Sequence, residues 1–292
     1  MNIDPRLIDY VFPSHDGYPT HLAAEDTREA LWDCCGDAAR DFPDHLYVDP
    51  KDWDAVAAEN DRLQTWPINY LDRFTNQANT HECTTHALRA CFEGCRNRQR
   101  KIAVGPPVLN QPPALSAKAG SVWVSCLSIY SEANPRIRGG ANVRQVMEIA
   151  SRRGFLPDRT QPRAYGFQHS LTGTNGQGNA TQSGGDWVSL AKFPAGWEET
   201  AKHFKPLEVI FPSSYEETVS LVLAGLFVGV GRNGHSIPYG RLVKDNGAWL
   251  MQYPDSYDLF RYDSMRTVKS TVGGSYAIAT VTAPDDWNKP AG

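Results

Sequence analysis

The sequence predicts an α+β fold with helices in the first half of the chain and strands in the second. Two observations carry this. Apolar residues recur at helical spacing in segments before residue 155 and once more near 213–225. Beyond that point the runs "LFVGV", "HSIPYGRLVK", "WLMQY" and "SYAIATV" are short, aromatic or β-branched, and punctuated by Gly, Asn and Pro. No internal repeat is present. Segregated helices and strands imply two halves packed against each other.

The elements follow in order. Within "AAEDTREALWDCCGDAARDF", Leu31, Cys35 and Ala38 predict one helix. A second begins at Cys83, where Cys83, Ala87 and Cys91 share a stripe flanked by Leu88 and Cys95. Residues 101–117 are Pro-rich and read as a loop. "GSVWVSCLSIYSEAN" is apolar and fits helix or strand. In "RGGANVRQVMEIASRRGF" the face Val143, Val146, Met147 and Ala150 predicts a helix, with Gly154 as its stop. Residues 170–186 are rich in Gly, Ser, Thr and Asn and read as an exposed loop. "SSYEETVSLVLAG" predicts a helix capped by Ser213 or Ser214, with acids in its first turn and Gly225 behind it.

Composition narrows the function classes. The chain has 292 residues, 41% hydrophobic and 21% charged, a net charge of −4 and a pI near 6.1. This is a globular composition without the basic surface that nucleic acid requires. No apolar run approaches the roughly 18 residues of a membrane span. The start, "MNIDPRLIDYVFPSHDG", lacks a basic stretch followed by an apolar core, so no secretory signal is expected. The expected location is cytoplasmic or associated with an assembly. The six cysteines, at 34, 35, 83, 91, 95 and 126, do not form a disulfide framework and are read as mostly reduced.

The stretch "FTNQANTHECTTHALRACFEG" holds the candidate chemistry. A cysteine attacks as thiolate and needs a helix N-terminus or a cation to favour that form. Cys83 stands where the helix begins. A carbonyl attacked there develops an oxyanion, which needs donors. The backbone N–H of Cys83 and the amide of Gln77, six residues earlier, can supply them. The base is expected at a strand start, oriented by a third group. His235 in "VGRNGHSIPYG" and Asp255 in "WLMQYPDSYD" fit, 152 residues after Cys83 and a further 20 after His235. A thiol peptidase of the papain type separates Cys and His by roughly 130–150 residues.

In these residues the chain resembles the papain family of cysteine peptidases. That family's "NQG-CGSCWAF" is similar to "NQANTHECTTHAL", with Gln77 and Cys83 in register. Its "NGG" before a helix resembles "RGGANVRQ", its "HAV" strand resembles "HSIPYGRLV", its "NSWG" resembles "DSYD", and its Gly–Tyr strand resembles "GGSYAIA". The likeness runs from about residue 66 to 282. It implies a papain-like two-lobed fold, with a helical lobe (about 66–165) carrying Cys83 and an antiparallel β-barrel-like lobe (about 166–292) carrying His235. It implies peptide-bond hydrolysis through an acyl-enzyme on a peptide or protein substrate, without metal or organic cofactor. Gly139 and Gly140 would line the cleft, where bare backbone lets an extended substrate pair. Tyr257 would shield the third triad member.

The chain departs from the pattern at four positions. Thr84 follows the cysteine in place of an aromatic, Ala78 stands for a glycine, Asp255 for an asparagine and Tyr257 for a tryptophan. An Asp still orients imidazole and stabilises imidazolium more strongly than an amide does. Residues 1–65 have no counterpart in the family core and read as an N-terminal extension, either structural or an anchor for an assembly partner. The rival function is a catalytically degenerate papain-fold subunit of a larger assembly such as a virion. A rival chemistry is zinc, from His81, Cys83, His86, Cys91 and Cys95. One straight helix does not readily supply four tetrahedral ligands.

Overall fold

The computed structural model describes residues 3–11, 27–72, 82–102, 120–133, 140–157, 196–232, 234–256 and 259–284. The chain order is α1 (Arg28–Cys35), β1 (Ala39–Asp41), α2 (Trp53–Leu63), α3 (Cys83–Gln99), α4 (Leu127–Ala133), α5 (Val143–Arg152), α6 (Trp197–Ala201), β2 (Pro206–Phe211), α7 (Tyr215–Leu223), β3 (Val228–Arg232), β4 (His235–Tyr239), β5 (Arg241–Asp245), β6 (Ala248–Asp255), β7 (Leu259–Ser264), α8 (Met265–Ser270) and β8 (Tyr276–Val281). Apart from β1, the strands follow α6, with α7 and α8 among them, so helices dominate the first half as the periodicity predicts. Of the expected loops, 101–117 lies outside the described residues beyond Ile102, and 170–186 lies wholly outside them.

Local chemistry explains the helix ends. Asn142 and Gln145 form a reciprocal capping box at α5, and Gly154 follows it with φ +90°. Ser214, rather than Ser213, caps α7 by accepting from the Glu217 N–H. Ser213 donates to the Glu217 carboxylate instead. The helix predicted around Cys34 is shorter than its pattern. It closes at Gly36, φ +51°, and the chain turns into β1. The ambiguous segment before residue 134 is extended first, with Val124 bridged to Pro157, and then forms α4.

Helix α3 is the axis of the molecule. Every residue from Cys83 to Asn97 is buried, on all faces and not only on the predicted stripe. Strands β3, β4 and β8 pack on one side of it, and α4, α5 and the 3-10 turn Pro67–Tyr70 on the others. Its polar residues are paired inward: Arg89 Nη1 donates to Glu93 Oε2 at 2.6 Å, and Glu93 Oε1 accepts from the Val124 N–H at 2.8 Å.

The strands form two sheets. The five-stranded sheet has the order β1-β2-β8-β3-β4, with β1 parallel to β2 and the other pairs antiparallel. The three-stranded sheet, β5-β6-β7, is antiparallel. The expected barrel-like lobe is therefore two sheets, and no closed barrel exists among the described residues. The break falls at Gly240, the one residue between β4 and β5. A Cβ there would stand 2.4 Å from the Phe227 ring, and one at Gly94 on α3 would stand 2.5 Å from the same ring. Phe227 thus fills the space between the central helix and the corner where the sheets part.

Residues before 66 share this core. Leu31, Cys35, Ala39, Trp53 and Ala57 belong to the main cluster with Phe92, Val146, Val209 and Tyr253. Near the start of the chain, Ile3 packs with Val243 and Leu250, and Ile8 bridges Tyr262 in β7. Among the described residues, no helix is long and apolar enough to cross a membrane.

Candidate active site

Cys83 is the first residue of α3, so the unpaired N–H groups of the first turn surround it and favour negative charge. Its neighbour Thr84 places Oγ1 3.9 Å from the Cys83 sulfur and donates from it to the Ala141 carbonyl at 2.8 Å. This bond ties the Gly140–Ala141 segment to the turn that carries the thiol.

His235 opens β4. It follows a hairpin whose Gly234 takes φ +79°, and it pairs with Arg232 on β3. Because β4 packs on α3, the start of the strand meets the start of the helix. Cys83 and His235 come close enough there for the charge on the sulfur to act on the ring. Asp255, the last residue of β6, approaches from the second sheet, with Oδ1 3.2 Å from His235 Nε2. Cys83, His235 and Asp255 are 0%, 1% and 1% exposed. Burial opposes a charged imidazole, yet the charge on Cys83 and the hydrogen bond that Asp255 accepts outweigh it. Together they push His235 up to about 9.

Three predicted residues, Gln77, Gly139 and Tyr257, lie outside the described residues, as does His81. Gly140 is described and buried. Two of the rival metal ligands, Cys91 and Cys95, are buried in the core. Burial pushes the Cys95 thiol up to about 12 and raises Cys91 further. Among the described residues, no group of three or more His, Cys, Asp or Glu side chains is placed to hold a metal ion.

The structure gives His86 surroundings other than the rival metal set and adds Tyr130 and Arg261, which the sequence did not single out. His86 Nε2 lies 4.0 Å from Glu82 Oε2, one turn along α3 and fully inside. Tyr130 on α4 is held protonated by burial and then by the charges of Glu82 and Cys83. Arg261 on β7 donates from Nε to Asp255 Oδ2 at 2.6 Å. Neither Tyr130 nor Arg261 has a sequence signal beyond residue type.

No protein-family model matches the chain, and no curated protein is similar to it. Solved structures do match. The digestive procathepsin L 3 of Tenebrio molitor larval midgut superposes with a TM-score of 0.51 at 9% identity, over 86% of this chain and 78% of that one. Xylellain, a cysteine protease from Xylella fastidiosa, gives 0.49 at 13% identity over 72% and 83%. The mite-allergen structure of Blo t 1 and Der p 1 gives 0.49 at 11% over 93% and 83%. The procathepsin match defines the class: the chain has the papain-like fold of cysteine proteases. At such identity the likeness is one of fold, and what the site does is a matter of its own chemistry.

Proposed function

We propose that the protein is a cysteine peptidase that hydrolyses peptide bonds through a thiol acyl-enzyme. One observation carries the reading. A cysteine at a helix N-terminus lies beside a histidine whose far ring nitrogen is held by a carboxylate, within a papain-like fold.

In the proposed reaction the Cys83 sulfur adds to the substrate carbonyl carbon, and the carbonyl π pair moves onto oxygen. The Cys83 N–H and the Gln77 amide donate to that oxyanion. The oxyanion collapses and the C–N bond breaks. His235, protonated on the nitrogen that faces the thiol, gives that proton to the departing amine. Asp255 keeps the other proton on Nε2 and so fixes the ring. Water then loses a proton to His235, adds to the thioester and releases the acid, and the proton on His235 restores the starting pair. No metal or organic cofactor enters this sequence. Gly139 and Gly140 would line the cleft and Tyr257 would shield Asp255.

The test is labelling by an epoxide that traps activated thiolates, with peptide mapping. Modification confined to Cys83, lost in unfolded protein and in His235→Ala, supports the reading. Slow, uniform labelling of all six cysteines would overturn it in favour of a papain fold kept for binding or assembly.

A further inference from the structure

Two residues of β7, Arg261 and Asp263, are buried and lie two positions apart, so they share the inward face of the strand. Each is paired with a charge from another strand. Arg261 Nε donates to Asp255 Oδ2 at 2.6 Å, and Arg232 pairs with Asp263, which also accepts from the Tyr239 hydroxyl at 2.7 Å. The N-terminal segment closes over both pairs. The Tyr10 ring lies under the Arg261 guanidinium, 3.5 Å from centroid to Cζ, and the Tyr10 carbonyl accepts from Arg232 Nη2 at 2.6 Å. The segment is itself pinned: the Asp9 N–H donates to the Tyr262 carbonyl at 2.8 Å, and Asp9 Oδ1 accepts from the Ser264 N–H at 2.8 Å.

We propose that Arg261, clamped by Tyr10, is a positioning residue that makes Asp255 an orienting acceptor without net charge. The inference rests on the peptidase reading. An aspartate beside the imidazole adds a full negative charge where an amide would add none. Unopposed in a buried site, that charge would hold imidazolium tightly and hinder return of its proton to the leaving amine. The Arg261–Asp255 pair cancels most of it. Oδ1 keeps its directional role toward Nε2, while Oδ2 is fixed by the guanidinium. Residues 3–11 then belong to the site as a strap on the catalytic lobe.

Other charges face this group and set its background. His86 and Arg89 of α3 line the small cavity beside Asp255, and Arg89 is engaged by Glu93. Cys83 faces His235 from the helix start. Tyr253 stands two residues before Asp255 on β6, and the Arg232–Asp263 pair lies on the far side of Arg261. All are unchanged in the variants proposed here.

The experiment compares the full chain with Arg261→Gln, Arg261→Lys and Tyr10→Leu, each checked for folding by circular dichroism. Two titrations are read: the His235 Cε1–H resonance, assigned by its loss in His235→Ala, and the pH dependence of Cys83 alkylation by iodoacetamide. Removing a nearby cation raises the pKa of imidazolium and thiol alike. Arg261→Gln therefore shifts both midpoints to higher pH by on the order of one unit. Arg261→Lys keeps the cation and shows little of the shift, and Tyr10→Leu gives a smaller shift in the same direction. Unmoved midpoints in folded Arg261→Gln would overturn the proposal. If that variant does not fold, an unmoved His235 midpoint in Tyr10→Leu would do so. If wild-type Cys83 shows no preferential alkylation, the peptidase reading fails, while the His235 titration still decides the role of Arg261.

Discussion

Asp255 Oδ1 lies 3.2 Å from His235 Nε2, and the two side chains come from different sheets, joined by no shared strand ladder. The imidazole is therefore held by a contact between the two sheets, at the end of β4 away from the break at Gly240. Asp255→Ala removes the acceptor and leaves the ring free to turn from Cys83. We expect peptidase activity to fall by on the order of 10²–10⁴-fold. Asp255→Asn keeps an acceptor and should retain more activity than Ala. Steady-state kinetics on a fluorogenic peptide would measure both, and equal activity in Ala and wild type would remove Asp255 from the site.

The raised His235 couples stability to pH. A group whose folded pKa exceeds its unfolded value binds protons more tightly in the native state. Its contribution is complete below the ordinary histidine value of 6.5 and is lost as pH rises through about 9. Urea midpoints should fall from pH 6.5 to 9 more steeply in wild type than in His235→Gln. Parallel curves for the two proteins would show that His235 does not carry this linkage.

Much of the fold was legible because its signals are local. Asn142 and Gln145 cap α5, acids follow Ser214, and a Gly precedes His235 at its strand start. Cys83 at a helix start and His235 at a strand start are legible in the same way, whereas Asp255, which ends β6, has no local signal of its own. What escaped is what depends on tertiary burial. Arg89 and Glu93 look like the solvent face of an amphipathic helix, yet both are inside because sheets and helices enclose α3. Arg261 and Asp263 alternate along β7 as an exposed strand would, and only the pairing with Asp255 and Arg232 explains their burial. The short strand β1 was hidden in a helical pattern that Gly36 interrupts. Gln77, Gly139 and Tyr257 lie outside the described residues, so their placement in the site is carried by the resemblance alone.

The Phe227 ring fixes how the central helix meets the sheet corner. An alanine at Gly94 or Gly240 would place its methyl carbon 2.5 or 2.4 Å from that ring, and Phe227 is itself buried. Overpacking of this kind costs about 1–3 kcal/mol. Each variant should lower the thermal midpoint by several degrees. Phe227→Leu combined with Gly240→Ala should recover part of the loss, because the smaller side chain vacates the space. A single Gly240→Ala as stable as wild type, by urea unfolding, would show that the ring moves freely.

The Arg89–Glu93 pair makes the opposite prediction from a surface ion pair. Both side chains are nearly or fully excluded from water, at 4% and 0% exposure, and Glu93 also takes the Val124 N–H. Exposed pairs one helical turn apart contribute about 0.3–0.5 kcal/mol. Removing one partner of a buried pair instead leaves a desolvated charge and costs about 3–5 kcal/mol. Arg89→Met strands the Glu93 carboxylate, so its unfolding free energy should drop by that larger amount and recover at acid pH, where the carboxylate takes a proton. Arg89→Met with Glu93→Leu removes both charges and should be more stable than Arg89→Met alone. Because α3 carries Cys83 at its start, loosening the pair should also slow Cys83 alkylation. A small, pH-independent loss would mean that water reaches the pair.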